Sequence, residues 1–427
     1  MANVFYNSCY EVAHRNSQFS TLNSQFPLHS YRQPFGFRTV EFRADGFYLN
    51  GKKRKLRGVN RHQDREGKGW AVSHADEAED IALIREMGAD ALRTAHYPQS
   101  QNVYDLCDRE GLIVWCEAPN TDVVTSSPEF KANLLNQVRE MVEQYGNHPS
   151  ICMWSLFNEL HINYLLESKS VEIVEAEKAL VNDLDRSRPV VAAGCVRDVR
   201  RLNAIPDALA ANFYPGWYHD TPAKMKSLVD AWCATNARAL LGVSEYGAGG
   251  SVNQHQNPIR PMVKPNLTRF HPEECQAEVH AGQYRALKAD DRVWGTFAWC
   301  MFDFASDSRT EGERCGLNDK GLVTYDRKER KDAFYLYQAN WTEKPVLHLV
   351  GKRMKTCEAD AVTVLAFSNC GEVELRVNGN PVGKQKPDEV CCVRWDGVKL
   401  SPGVNVIELR SGGLVERAEW TRPSAGK

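Results

Sequence analysis

The chain has 427 residues, of which 42% are hydrophobic and 25% are charged, and its formal net charge is -2. This length exceeds what one hydrophobic core usually holds, so we expect two domains, one of them a barrel of roughly 250 residues or more. The near-neutral charge offers no attraction for nucleic acid or for an anionic membrane surface. No apolar run reaches the roughly 18 residues of a membrane span, and the first residues show no export signal.

The cysteine content indicates the compartment. There are 13 cysteines, an odd number without regular spacing, and several fall inside predicted buried strands. Such residues are typical of free core thiols in a reducing compartment, so we expect a cytoplasmic protein. The adjacent Cys391 and Cys392 do not have the spacing of a zinc site.

The first 53 residues carry little regular pattern. Residues 1–35 are polar, and we expect a loosely ordered N-terminal arm. The following segment alternates between polar and apolar residues and contains Asn50-Gly51. This pattern predicts that residues 40–42 and 47–49 pair as a hairpin ahead of the main domain.

From residue 55 onward, apolar strands alternate with amphipathic segments. The predicted strands are residues 56–60, 91–97, 112–118, 151–159, 189–195, 208–214, 239–245 and 293–304. The clearest predicted helices are residues 74–87, 130–145, 169–185, 224–234, 273–288 and 327–337. Eight parallel strands alternating with helices predict an α/β fold, a (β/α)₈ barrel over residues 36–344. The alternative is an open doubly wound sheet, but no glycine-rich phosphate turn follows any of the strands.

After residue 345 the pattern changes to short alternating strands. They cover residues 346–350, 362–367, 373–377, 390–395, 404–409 and 414–420, with turns at Asn378-Gly-Asn and Asp396-Gly. This pattern predicts a small all-β sandwich over residues 345–427.

Two of the predicted barrel strands end in a glutamate. One apolar run leads into Asn158 and Glu159, and another leads into Glu245. If both strands belong to one barrel, their carboxyl ends lie on the same side and the two glutamates can meet at one substrate. Taken singly, Glu159 could equally be a solvated strand end paired to a surface arginine.

Several motifs at the predicted strand ends resemble those of glycoside hydrolase family 2. They are Arg57-Gly-Val-Asn-Arg-His62-Gln-Asp64, Arg93-Thr-Ala-His96-Tyr-Pro, Asn147-His-Pro-Ser-Ile, Phe157-Asn158-Glu159, Asn212-Phe-Tyr214 and Ser244-Glu245-Tyr-Gly. The segments Asp303-Phe-Ala-Ser-Asp and Asn318-Asp-Lys320-Gly-Leu-Val-Thr-Tyr-Asp-Arg resemble the bacterial β-galactosidases of that family, which carry immunoglobulin-like domains after the barrel. The resemblance covers residues 36–345 strongly, and it implies an immunoglobulin-like sandwich after them.

The resemblance implies a retaining hydrolase that cleaves terminal β-D-galactosides through a covalent glycosyl-enzyme. Glu245 would be the nucleophile, and Glu159 would be the acid that later acts as the base. Such a pair stands ~5 Å apart, with one group charged and the other protonated, so the two environments must differ. Arg93 and Tyr214, both at strand ends, are expected to donate hydrogen bonds to Glu245.

Further residues are expected to bind the sugar. The resemblance implies that Asn158 contacts the sugar 2-hydroxyl group, in a bond that strengthens in the transition state. His62, Asp64 and His96 follow the first two strands on the predicted active face. Trp299 would be either core packing or a platform for the apolar face of the sugar.

The segment Asn318-Asp-Lys320 leaves the identity of the sugar open. Glucuronidases of the family bind the sugar carboxylate with an Asn-x-Lys pair, for which a lysine ammonium is a suitable partner. Galactosidases with the same tail also carry this pair and resemble the chain more closely. We therefore expect a β-galactosidase acting on a β-linked galactoside or oligosaccharide, with a β-glucuronidase as the alternative.

The resemblance also has gaps. Some β-galactosidases of the family bind magnesium after the third strand, but Cys116-Glu-Ala-Pro-Asn-Thr-Asp-Val lacks those ligands. We expect no metal and no cofactor, and we expect Glu117 to be a structural residue or a hydrogen-bond partner in the mouth of the barrel. Family members usually begin with a jelly-roll and an immunoglobulin-like domain, which residues 1–35 are too short to encode. A weakly active carbohydrate-binding remnant is therefore a third hypothesis. A homo-oligomer or the docking of a missing front domain also remains open.

Overall fold

The computed structural model describes residues 6–13, 30–160, 167–195 and 197–424, with the backbone alone for 6–13 and 30–35. The arm expected over residues 1–35 lies partly outside these ranges. Within them, β1 (Tyr6–Ala13) and β2 (Ser30–Phe37) pair antiparallel, which the sequence did not predict.

A small antiparallel sheet precedes the barrel. It consists of β3 (Val40–Arg43), β4 (Gly46–Leu49) and β5 (Lys52–Arg54). The predicted hairpin is present, because Val40 faces Leu49 across β3 and β4. The buried side chains of Phe47 and Leu49 pack into the apolar core at the N-terminal ends of the barrel strands.

Eight parallel strands close into a barrel, as the sequence predicted. They are β6 (Leu56–Arg61), β7 (Ala91–Thr94), β8 (Ile113–Glu117), β9 (Ile151–Asn158), β10 (Val190–Gly194), β11 (Ala208–Asn212), β12 (Leu241–Tyr246) and β13 (Val293–Ala298). Each strand pairs with the next, and β13 closes the ring on β6. The strands are apolar on both faces because helices cover the outside and side chains fill the inside.

Helices connect the strands. They are α1 (His74–Met87), α2 (Gln101–Glu110), α3 (Pro128–Tyr145), α4 (Glu167–Leu184), α5 (Arg200–Asn203), α6 (Met225–Thr235), α7 (Glu273–Ala289) and α8 (Asp332–Trp341). In α1, Ser73 and Asp76 form a reciprocal capping box, and Gly88 ends the helix with φ 91°. Sequence periodicity missed α2 and α5, which are short and present few apolar residues to the barrel.

The chain then builds two smaller β structures. The strands β14 (Phe304–Ala305) and β15 (Leu317–Asn318) pair at the mouth of the barrel. The C-terminal strands are β16 (Leu347–Leu349), β17 (Ala361–Ser368), β18 (Val373–Val377), β19 (Asn380–Gln385), β20 (Cys392–Lys399), β21 (Gly403–Ser411) and β22 (Leu414–Arg422). They form sheets in the orders β16-β17-β20 and β19-β18-β21-β22, around a core that includes Leu375 and Trp420.

The C-terminal sheets pack on α7 and α8 of the barrel. The Asp332 carboxylate accepts from His348 Nε2 at 2.7 Å and from Gly351 N at 2.7 Å. Arg394 pairs with Glu278 at 2.9 Å, and Phe367 belongs to the same apolar cluster as the barrel residues. The expected division at residue 345 falls between α8 and β16.

Two further findings concern membrane spans and disulfide bonds. Among the helices that the structure describes, none is long and apolar enough to span a membrane. The twelve cysteines whose side chains the structure describes form no disulfide bond with one another.

Candidate active site

A cavity of about 470 Å³ opens at the carboxyl ends of the barrel strands. Its wall includes nine of the eleven residues predicted for the site: His62, His96, Asn158, Glu159, Tyr214, Glu245, Trp299, Asn318 and Lys320. The other two do not line the cavity. Arg93 bonds the wall residue Glu245, and Asp64 bonds Ala305, which stands between the wall residues Phe304 and Ser306. The side chains predicted from separate strand ends are therefore brought together at one place.

Glu245, near the end of β12, is held by two donors. Arg93 Nη1 donates to Glu245 Oε1 at 2.9 Å, and the Tyr214 hydroxyl donates to Oε2 at 2.7 Å. Glu245 is 5% exposed, so both bonds are shielded from water. Hydrogen bonds from a cation and a hydroxyl stabilise an ionised carboxylate, which is the form that a nucleophile needs.

Arg93 connects the groups around Glu245. Its side chain has no exposed surface, and it bonds Glu117 through Nε at 2.7 Å and through Nη2 at 3.1 Å. It also donates to Asn60 Oδ1 at 3.0 Å and to Asn158 Oδ1 at 2.9 Å. Burial opposes the charged form, but the carboxylates of Glu117 and Glu245 outweigh it and raise the pKa of Arg93. The guanidinium therefore stays charged and fixes the positions of its partners.

Glu159 directly follows β9 and has a different environment. Asn212 Nδ2 donates to its Oε1 at 2.7 Å. Burial, followed by the negative charge of Glu245, raises the pKa of Glu159 to about 7, and Asp122 adds to this effect. The carboxyl group is thus partly protonated at neutral pH, as a general acid must be.

The backbone explains why Asn158 and Glu159 face the same cavity. Neighbouring side chains on a strand point to opposite faces. Here Glu159 has φ 54°, which breaks the extended conformation and turns its side chain inward. The strand pairings also shift in register next to Asn158, Asn212 and Glu245. Such irregularities redirect side chains at the rims of barrels.

Two asparagines link the two glutamates. Asn158 Oδ1 accepts from Asn212 Nδ2 at 3.1 Å as well as from Arg93. Asn158 Nδ2 donates to Thr121 Oγ1 at 3.3 Å, and Ser244 Oγ donates to Asn212 Oδ1 at 2.6 Å. Asn212 belongs to one of the sequence motifs but was not predicted as a site residue. Its position at the end of a barrel strand could have indicated this role.

Aromatic rings form one wall of the cavity. Trp299 lies parallel to His96, with ring centroids 5.1 Å apart, and meets His62 edge-on at 5.3 Å. His62 stacks on Phe304 at 4.0 Å. Burial, followed by the charges of His96 and Arg93, lowers the pKa of His62 well below its usual range, so this ring is neutral. The wall suits the apolar face of a sugar.

Another part of the cavity is cationic. Lys320 is 2% exposed, and its Nζ lies 4.9 Å from the centroid of Trp217 and 5.3 Å from that of Tyr218. Arg309 Nη1 donates to the Tyr218 hydroxyl at 3.3 Å. Partial burial opposes ionisation of Tyr218, but Lys320 and Arg309 outweigh it and lower its pKa. Asn318 also lines this part, and its Oδ1 accepts from Lys320 N at 3.2 Å.

Buried side chains hold the segment that carries Asn318 and Lys320. Lys331 Nζ donates to the Asp319 carbonyl at 2.9 Å and to Asp303 Oδ1 at 2.7 Å. Asp319 Oδ2 contacts His271 Nδ1 at 2.6 Å. The position of the Lys320 ammonium is therefore set by buried contacts rather than by a free loop.

Asp64, which was predicted to bind substrate, is not among the residues that line the cavity. Asp64 Oδ2 accepts from Ala305 N at 2.9 Å and from the Tyr325 hydroxyl at 2.9 Å, so the carboxylate holds the β14 segment in place. Other wall residues were not predicted for the site, and apart from Phe304 in β14 they lie outside the named helices and strands: Thr121, Asp122, Cys195, Tyr218, His219, Phe304, Ser306 and Arg309.

One group of side chains in the described part of the chain has the spacing of a metal site. Asp105, Asp108 and His148 place one ligand atom each within 4.8 Å of one another. Two of them lie on α2, and none lines the cavity. His148 Nδ1 already pairs with Asp108 Oδ2 at 2.7 Å, which accounts for their closeness.

Known proteins resemble both parts of the chain. The family model described as "Glycosyl hydrolases family 2, TIM barrel domain" matches residues 40–344, and a domain of unknown function matches residues 360–414. A β-glucuronidase of Bacteroides fragilis is 41% identical, over 90% of this chain and 56% of the relative.

Two solved structures are similar to the chain. One is an FMN-binding β-glucuronidase from Facaelibacterium prausnitzii L2-6, with a TM-score of 0.85 and 32% identity, covering 93% of this chain and 61% of the other. The second is a putative β-galactosidase from Bacteroides fragilis, with a TM-score of 0.88 and 30% identity, covering 95% and 60%. The chain spans about half the length of the curated relatives it matches.

Proposed function

The chain belongs to glycoside hydrolase family 2, and from this premise we propose that it carries the catalytic barrel of a retaining β-glucuronidase. The sequence motifs alone favoured a β-galactosidase, with a β-glucuronidase as the alternative. The 41% identical relative named β-glucuronidase supports the alternative.

The observation that carries this proposal is the state of Lys320. The residue is 2% exposed, and among the described residues its ammonium forms no ion pair with a carboxylate. A buried charge without a counter-ion costs several kcal/mol, so such sites are rarely left unmatched. The carboxylate of a glucuronate, bound between Lys320 and Asn318, would supply the missing negative charge. A galactose carries only a neutral hydroxymethyl group at that position.

The two glutamates would perform a double displacement. In the first half, a Glu245 oxygen attacks the anomeric carbon, the bond from that carbon to the leaving oxygen breaks, and Glu159 gives its proton to this oxygen. In the second half, Glu159 takes a proton from water, the water oxygen attacks the same carbon, and Glu245 is released. Arg93 and Tyr214 hold the Glu245 oxygens in place through their hydrogen bonds, while burial raises the pKa of Glu159 and favours its protonated form.

The other wall residues would bind the sugar. Trp299 and His96 offer a flat surface to its apolar face. Asn158, held by Arg93 and Asn212, is positioned to reach a hydroxyl group next to the anomeric carbon. These contacts are common to glucuronides and galactosides, so they do not select between the two sugars.

The test is a paired assay on an aryl β-D-glucuronide and the matching β-D-galactoside. The glucuronide should be the better substrate, and Lys320→Met should lower the glucuronide-to-galactoside ratio of kcat/KM by about 10- to 100-fold, the loss of charge-assisted hydrogen bonds. Lys386→Met, at an exposed position of the C-terminal sheets, is the control and should leave the ratio unchanged. Preference for the galactoside, or a ratio indifferent to Lys320→Met, would refute the proposal.

The second candidate is a β-galactosidase, which the similarity to the putative enzyme of that name supports. The same assay decides between the two. If calorimetry shows binding of either sugar but the assays show no turnover, the result would instead favour the third hypothesis, a carbohydrate-binding protein with little activity.

A further inference from the structure

The charged groups of the cavity are divided between two sides of the barrel mouth. Lys320 follows β13, and its ammonium lies over rings that follow β11. Asp122 follows β8, which is three strands away from β13 and three from β11 around the closed ring. Asp122 and Lys320 both line the cavity. A substrate in the cavity therefore meets a cation at one side and an anion at the other.

Asp122 flanks the proposed acid. Since β8 neighbours β9, the residue lies beside the strand that ends at Glu159. Its backbone N–H donates to the Asn158 carbonyl at 3.0 Å, and the preceding Thr121 forms a β-bridge with Asn158. Its φ of 62° is a left-handed conformation that a β-bridged loop can hold. The position of Asp122 is thus tied to the catalytic strand.

The Asp122 carboxylate has no partner within the described ranges. The side chain is exposed, and it makes no hydrogen bond or ion pair with a described residue. On the other flank of Glu159, burial raises the pKa of the Cys195 thiol, so that flank is uncharged. Among the cavity residues that the structure describes, Asp122 is consequently the exposed charged group beside the acid, whereas Glu245 acts on the acid from a buried position.

The position of the acid shows which part of a substrate meets Asp122. A general acid protonates the glycosidic oxygen, so the departing group must lie on the side of Glu159. The sugar itself occupies the space between Glu159, the aromatic wall and Lys320. Groups that flank Glu159 at the rim therefore contact the aglycone rather than the sugar.

We propose that Asp122 forms an anionic aglycone subsite, which selects glycosides whose leaving group carries a protonated amine over those whose leaving group carries a carboxylate or sulfate. This inference rests on the proposed function for the position of the sugar. The chemical class is an ammonium-bearing aglycone, such as an amino sugar or an amine-substituted phenol. At charge separations of ~6 Å in water, changing the aglycone from anion to cation alters binding by about tenfold.

The test uses three aryl β-D-glucuronides with leaving phenols of matched acidity and a trimethylammonium, a neutral or a sulfonate substituent. At low ionic strength the cationic substrate should exceed the anionic one in kcat/KM by about tenfold. Asp122→Asn should reduce this ratio to near one, and added salt should do the same to the native chain because it screens the charge. Asp183→Asn, an exposed position at the end of α4, is the control with the same charge change and should keep the ratio.

Failure of this inference is separable from failure of the proposed function. Turnover of the neutral glucuronide with equal rates for the two charged substrates, or a ratio that Asp122→Asn leaves intact, would overturn the subsite while the glucuronidase stands. If the chain instead cleaves galactosides, the three substituents are placed on aryl β-D-galactosides. The ratio of kcat/KM for the cationic and the anionic substrate then tests the subsite in the same way.

Discussion

The pH dependence of kcat/KM gives a direct test of the role of Glu159. Burial, the charge of Glu245 and the charge of Asp122 raise its pKa from 4.5 to about 7. A carboxyl group with the ordinary value would be protonated in only about one molecule in 300 at pH 7, whereas Glu159 is protonated in about half. An acid works in its protonated form, so activity is present below the pKa and lost above it. Turnover of an aryl glucuronide should therefore fall tenfold per pH unit above about pH 7.

A substitution of Glu159 distinguishes the loss of acid catalysis from a general loss of activity. With a phenyl glucuronide, whose leaving group needs a proton, Glu159→Gln should lower kcat/KM by about 10²- to 10⁴-fold and remove the alkaline limb. With a dinitrophenyl glucuronide, whose leaving group needs little protonation, kcat/KM should fall far less. Glu175→Gln, at an exposed position of α4, should behave as the unaltered chain. An alkaline limb below pH 6, or equal losses on both substrates, would refute the assignment.

Three further substitutions test the surroundings of the site. Tyr214→Phe removes a donor to Glu245 and should lower kcat/KM by about 10- to 100-fold in steady-state assays, with unchanged thermal stability. Arg93→Met removes the guanidinium that two buried carboxylates, Glu117 and Glu245, share and should lower the free energy of unfolding in urea by about 3–5 kcal/mol. Burial raises the pKa of Glu177 well above its usual range, so Glu177→Gln should keep the melting temperature, while Glu177→Ala should lower it.

The barrel was predictable because its signal is repeated and local. Each buried strand is an apolar run, and the run that leads into Glu159 appears in the structure as a fully buried strand ending at Asn158. The helix α2 was missed because it is only ten residues long and mostly polar, with three buried side chains. The edge strand β19 was missed because Pro381 and Gly383 weaken its pattern.

The site was only partly predictable, because its chemistry depends on contacts between distant segments. The two glutamates could be found at strand ends, but Asp64 in the same kind of position turned out to bind Ala305 and Tyr325. The sequence around Lys320 is compatible with either sugar. Only the three-dimensional arrangement places that ammonium in a buried pocket without a carboxylate beside it among the described residues.

The most direct test of the account is the covalent trapping of the nucleophile by a glucuronate-shaped aziridine, followed by peptide mapping in a mass spectrometer. The account expects one label per chain, attached to Glu245, no label in Glu245→Gln, and slower labelling in Lys320→Met. The galactose-shaped analogue should react more slowly with the unaltered chain. A label on another residue, or faster labelling by the galactose-shaped analogue, would contradict it.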